Sequence, residues 1–162
     1  FNDISGEAAQ QLAQAVLGSA SLEVFGEVPM KQLRADALTE LNLSHKSLGP
    51  TEGIVLAKLV GVSASLTSID VGWNNVTGDA ARQLADVALG KPTLESFCNI
   101  PLKKLRADEL TELDLFNRGI GVPGALVLSS LLPVSASLTQ VLAFLPHSSS
   151  RSFPLMRDRV CL

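Results

Sequence analysis

Side chains able to attack, relay protons or hold metals are few and scattered in this chain. Its 162 residues include two histidines, His45 and His147, and two cysteines, Cys98 and Cys161. None of them sits in the spacing of a zinc site, a redox dithiol or a nucleophile–base arrangement. GxSxG, HExxH, P-loop and GxGxxG sequences do not occur, so hydrolytic, metalloprotease and dinucleotide chemistry has no sequence support. The expectation is a protein that is not an enzyme and holds no metal or cofactor. Cys98, in SFCNIP, faces either an open strand row or the core, where a thiol behaves as a small hydrophobe. Asn42-Leu43-Ser44 and Asn75-Val76-Thr77 fit the N-glycosylation pattern. With no signal-peptide pattern at the start, and Asn42 in an expected strand, they read as chance matches.

What organises the chain is repetition. Asn2–Trp73 lies over Asn74–Leu145 at a constant offset of 72, with 33 identical positions. The densest match sets PMKQLRADALTELNL at 29–43 against PLKKLRADELTELDL at 101–115. A register held over that length is a tandem duplication, the signature of a repeat architecture. Each 72-residue block divides into units of 28, 28 and 16 residues. The longer units open with apolar residues at relative positions 1, 4, 6 and 11: Leu38, Leu41, Leu43 and Leu48, then Leu66, Ile69, Val71 and Val76. Leu110, Leu113, Leu115 and Ile120 repeat the pattern. Alternation at 4 and 6 is strand periodicity.

The second half of each longer unit changes period. Ala81, Leu84, Ala85 and Ala88 fall on one face of a helix that starts near Thr77-Gly78-Asp79 and stops at Gly90 and Pro92. Glu7–Leu17, Glu52–Val62 and Gly124–Val134 are predicted to be helices of the same kind. The short units, 22–37 and 94–109, carry a proline where a helix should begin and are predicted to form a connecting turn or 3₁₀ segment.

LxxLxLxxNxL followed by GxxxAxxLA and a helix resembles the ribonuclease-inhibitor type of leucine-rich repeat, found also in NOD-like receptors and Ran GTPase-activating proteins. The resemblance covers roughly residues 2 to 141. It implies an α/β leucine-rich-repeat solenoid, a horseshoe arc with a parallel β-sheet on the concave face and helices on the convex face. About five strands are expected in one curved sheet. The family's turn-bonding asparagine stands at Asn74 and, by alignment, Asn2, but Lys46 and Arg118 replace it elsewhere. The expected division is a repeat domain over 1–141 and an irregular tail over 142–162. That tail reads as a degenerate end, a partner-binding segment or a cap. Phe1 aligns with Trp73, so the chain begins in mid-repeat and reads as a piece or processed product of a longer array.

A net charge of −3 and a pI near 5.3 give no general field toward nucleic acid or anionic lipid. Strand alternation predicts three outward rows: Glu40, Ser68, Ser96, Glu112 and Gln140; Asn42, Asp70, Cys98 and Asp114; and Ser44, Gly72 and Phe116. This face is either a solvated polar surface or a docking site for a basic or amide-rich partner. Trp73 and Phe116 are its candidate anchors, aromatics being favoured at hot spots, or they cover turns. Lys31, Arg34, Lys103, Lys104 and Arg106 gather in the short units. They lack the aromatic interleaving of a nucleic-acid site and are expected to pair with Asp36, Asp108 and Glu109. The expected role is a non-catalytic protein–protein interaction or scaffold module, a fragment of a longer array or a structural subunit of a large complex. Alternatives from the resemblance are a GTPase regulator and the sensing end of a NOD-like receptor. The expected location is intracellular, in the cytoplasm or, given the mid-repeat start, an organelle. No apolar run reaches the ~18 residues of a membrane span.

Overall fold

A computed structural model describes residues 4–142. Helix α1 spans Gly6–Gly18, the short helix α2 Met30–Arg34, and strand β1 Glu40–Asn42. They are followed by α3 (Pro50–Val62), β2 (Ser68–Asp70), α4 (Gly78–Gly90) and β3 (Ser96–Phe97). Then come α5 (Leu102–Arg106), β4 (Glu112–Asp114), α6 (Gly121–Leu131), a 3₁₀ turn at Leu132–Val134 and β5 (Gln140–Leu142). The sequence offset of 72 is repeated in space: α1 maps onto α4, α2 onto α5, β1 onto β4 and β2 onto β5, residue for residue.

All strand pairs are parallel, as short strands joined by helical crossovers require. Glu40, Leu41 and Asn42 pair with Ser68, Ile69 and Asp70, and Ser68 and Ile69 pair onward with Ser96 and Phe97. Glu112, Leu113 and Asp114 pair with Gln140, Val141 and Leu142. The expected single sheet is therefore divided in two, one of three strands and one of two. The division follows from the short unit. After Phe97 the backbone takes positive φ at Cys98 (48°) and Asn99 (62°), the requirement of a tight reversing turn. Phe97 N–H then bonds the carbonyl of Ile100 at 3.1 Å, so the chain folds back before β4 can align with it.

The helices pack in a row, α1 on α3, α3 on α4 and α4 on α6, so the full helices close over the short units. Leu41, Leu43, Ile69, Val71, Leu113 and Leu115 point inward from the strands, and Ala81, Leu84, Ala85 and Ala88 meet them from α4. Close helix spacing needs small residues. A Cβ on Gly53 would lie 2.7 Å from Val76 and 3.0 Å from Ala80 Cβ, so glycine is what lets α3 approach α4.

The short units differ from expectation. Both form a five-residue α-helix rather than a 3₁₀ turn, and each starts directly after its proline. Pro29 and Pro101 sit outside the helix, where a missing N–H costs nothing, and their carbonyls accept from Leu33 and Leu105 at 3.1 Å. Conversely, α6 gives way to 3₁₀ geometry at Pro133, inside the stretch predicted to be helical. The irregular tail expected over 142–162 falls outside the described residues except for Leu142, as do His147 and Cys161.

Candidate functional site

The turn after β2 shows how one side chain can organise a repeat. Asn74 Oδ1 accepts the N–H groups of Lys46 and Leu48, each at 3.0 Å. Its Nδ2 lies 2.7 Å from Leu43 O, 2.9 Å from Val71 O and 3.0 Å from Gly72 O. An amide alone offers both donor and acceptor at this reach, which is why asparagine suits the position. Trp73, next to it, adopts φ +57° and donates its N–H to Gly119 O at 2.9 Å. Its ring stacks on His45 at 5.3 Å and lies over Gly119, where a Cβ would stand 2.2 Å from the indole.

Residues 62–85, spanning the end of α3, β2, the Asn74 turn and the start of α4, match the family model described as Leucine Rich repeat. This segment is a leucine-rich repeat. Comparison with curated proteins and with solved structures gave no significant match. A leucine-rich repeat supports protein–protein interaction in general, because the fold presents short strands and turns as a surface rather than enclosing a reaction centre.

On the strand side of the repeat and its neighbours, Glu40, Asn42, Glu112, Asp114 and Gln140 are exposed, and Ser68, Asp70 and Ser96 are half-buried. Several of these polar groups are engaged locally. Asn42 Oδ1 accepts from Ser44 N at 2.9 Å, Asp70 Oδ1 from Gly72 N at 2.8 Å, and Asp114 Oδ1 from Phe116 N at 2.8 Å. These side-chain-to-backbone turns end each strand. Glu40 and Glu112 make no such bond among the described residues and keep their carboxylates free for a partner. Trp73 is 49% exposed and Phe116 43%, so both offer apolar surface.

Two members of the expected rows leave them. Cys98 is fully buried, because its positive φ breaks the strand's alternation and turns the side chain inward. Burial pushes its thiol pKa up to about 12, so it is not a reactive thiolate. Asn99 takes the outward place and donates to Asp70 Oδ2 at 2.7 Å. Gly72 is also buried, under the backbone of Arg118 and Gly119.

The basic residues do not take the partners expected for them. Lys31 pairs with Glu23 at 2.5 Å and Lys103 with Glu95 at 2.6 Å. Arg34 donates to the carbonyls of Val16, Leu17 and Leu22, and Arg106 to those of Ala88, Leu89 and Leu94. The arginines therefore close the C-terminal ends of α1 and α4, whose last carbonyls have no partner inside the helix and carry the negative end of its dipole. Asp36 and Asp108 serve a different joint. Each sits at positive φ and accepts from a Ser-Ala-Ser segment of the next longer unit. Ser63 Oγ reaches Asp36 at 2.6 Å, with Ala64 and Ser65 N–H at 3.0 and 3.1 Å. Ser135 Oγ, Ala136 N–H and Ser137 N–H bind Asp108 at 2.9, 3.0 and 3.0 Å. These donors hold both carboxyls below their ordinary range, Asp36 at about 2. Sequence reasoning missed both clamps. Their signal was the joint recurrence of Arg-Ala-Asp and Ser-Ala-Ser at the same offset.

Among the described residues no group of His, Cys, Asp and Glu is arranged to hold a metal, and no helix is long and apolar enough to cross a membrane.

Proposed function

We propose that this chain is a non-catalytic interaction or scaffold module that docks a protein partner on its strand side. In this reading residues 1–141 form a leucine-rich-repeat solenoid of ribonuclease-inhibitor type, a shallow arc whose two small sheets line the concave side, and 142–162 is a separate tail. The carrying observation is the pairing of exposed aromatic surface at Trp73 and Phe116 with free carboxylates at Glu40 and Glu112. Exposed aromatic anchors together with unneutralised acids at the starts of β1 and β4 suit a partner that combines an apolar contact with lysine or arginine. Asn42, Ser68, Asp70 and Asp114 fill the surface between, with Asn42, Asp70 and Asp114 held in fixed orientations by their turn hydrogen bonds. The scaffold role within a large assembly rests on the same face and on the repeat architecture.

The test compares proteins retained from a native extract by the immobilised full chain, by Trp73→Ala and Phe116→Ala, and by Lys58→Ala on exposed α3 surface. The expected result is a partner retained by the wild type and Lys58→Ala but reduced about tenfold or more by either aromatic substitution. A partner lost with Lys58→Ala and indifferent to Trp73 and Phe116 would move docking to the helix side and end this reading.

A further inference from the structure

The joint between the two copies is also a template for joining two molecules. Where β2 meets β3, Thr67 O accepts the N–H groups of Glu95 (2.7 Å) and Ser96 (3.2 Å), and Ile69 O accepts Cys98 N–H at 2.8 Å. The same acceptors recur one block later as Thr139 O and Val141 O, on the edge of β5 that no other described strand pairs. The same donors recur one block earlier as the N–H groups of Glu23, Val24 and Gly26. Among the described residues none of these donors and acceptors is paired. Both sets are in working geometry. Thr139 N–H and Gln140 N–H bond Thr111 O at 2.8 and 3.2 Å, as Thr67 and Ser68 bond Thr39 O at 2.8 and 3.2 Å. Phe25 and Val28 form the same antiparallel bridge as Phe97 and Ile100.

Apolar surface accompanies each open edge. Val24 is 55% exposed, and Phe25 and Leu12 are partly open, whereas their counterparts Phe97 and Leu84 are 1% exposed beneath β2 and α3. On the opposite side Val141 is 37% and Leu142 42% exposed, while Ile69, the counterpart of Val141, is buried. One face presents unpaired acceptors with apolar neighbours, and the other presents the matching donors with theirs.

We propose that β5 of one molecule pairs in parallel with Leu22–Phe25 of a second copy, setting Gln140 opposite Val24 and Val141 opposite Phe25, so that molecules associate head to tail. The joint is heterologous: each molecule uses a different face at each contact, and a free face remains to take another copy until the array closes into a ring. It is also weaker than the internal joint. The bonds from Asn99 to Asp70 and from Lys91 to Ser63 O have no counterpart, because Glu27 and Ser19 stand in place of Asn99 and Lys91. Ala125 occupies the position of Gly53, where a Cβ falls 2.7 Å from its neighbour, and holds α6 off α1 of the next copy. This association is independent of partner docking on the strand side.

Sedimentation of the full chain over a concentration series tests it, with Val24→Asp and Val141→Asp blocking one face each. Both residues are exposed, and matching circular dichroism spectra establish that the variants fold. The wild type is expected to grow in mean mass with concentration without a plateau at dimer, and Ala125→Gly to reach the same mass at lower concentration. Each Asp variant alone is expected to stay monomeric, and an equimolar mixture of the two to form a dimer through the one pair of intact faces. A wild type monomeric at every concentration would overturn the proposal. So would a closed dimer abolished by only one of the two substitutions, since that is the behaviour of a two-fold contact.

Discussion

Leu22–Phe25 and Leu94–Phe97 are the same segment written twice, LEVF and LESF, yet one lies at an open edge and the other is core. Both end in a bridge to a residue three further on, both lead into a five-residue helix, and both receive an arginine on the first carbonyl. They differ in what lies on the other side. Leu94–Phe97 has β2 and α3 against it; among the described residues no strand pairs with Leu22–Phe25, and Leu22 and Phe25, though packed on the core, are only half-buried. The difference teaches that a unit of this architecture brings its backbone geometry with it but obtains burial from its neighbour, as expected where no repeat can cover its own apolar face.

The largest effect that could break this comparison is in the core. Phe97→Ala is expected to cost about 3–5 kcal/mol in urea unfolding, through lost burial and the cavity left behind. Phe25→Ala, at the matching position, is expected to cost roughly 1–2 kcal/mol, because the ring is already partly open. Equal costs would mean that Leu22–Phe25 is buried in solution after all.

A smaller effect is expected at a second matched pair, Ser47 and Gly119, both at positive φ. Gly119→Ala is strained there, and its Cβ would collide with the Trp73 ring, so a loss of roughly 1–3 kcal/mol is expected. The emission of the single tryptophan should shift as the ring is displaced. Ser47→Ala already has a Cβ at its position and is expected to change stability by less than about 0.5 kcal/mol, with no spectral change.

The smallest effect concerns Asp36 and Asp108, which tie the short units to the Ser-Ala-Ser segments. Because the folded pKa of Asp36 is lowered to about 2, its contribution is present above the ordinary carboxylate pKa near 4 and is lost as the pH falls toward 2. Asp36→Asn with Asp108→Asn is expected to lower thermal stability above pH 4 and to flatten the acid limb, the difference from the wild type closing as the pH falls from 4 toward 2. A profile unaltered in that window would show that the clamps are not formed.

Strands and helices were legible in the sequence because period 2 at Leu41 and Leu43 and helical spacing at Ala81, Leu84, Ala85 and Ala88 are direct records of burial. The duplication carried the fold further, since each ambiguous element had a second copy. Of the two places open to Cys98, the outward row and the core, the structure takes the core; strand alternation does not register the positive φ that turns the chain, but the burial preference of a thiol does. The roles of Arg34 and Arg106 were hidden for another reason: their partners are backbone carbonyls, which have no residue identity to be matched. Asp36 was assigned the nearby cations because sequence proximity suggested them, whereas hydroxyl and amide donors nearly thirty residues away had the better geometry. Of the candidate docking residues, Trp73 and Phe116 were readable as types, but their exposure depends on turns whose shape only Gly119 and its neighbours decide.

The claim on which the rest depends is that one repeated joint is filled inside the molecule and unfilled at its outer face. Amide hydrogen exchange at low protein concentration addresses it directly, because it reports each N–H separately. The expected result is strong protection at Glu95, Ser96 and Cys98, whose N–H groups bond Thr67 O and Ile69 O, and rapid exchange at Glu23, Val24 and Gly26. Equal protection of the two sets in dilute solution would contradict it.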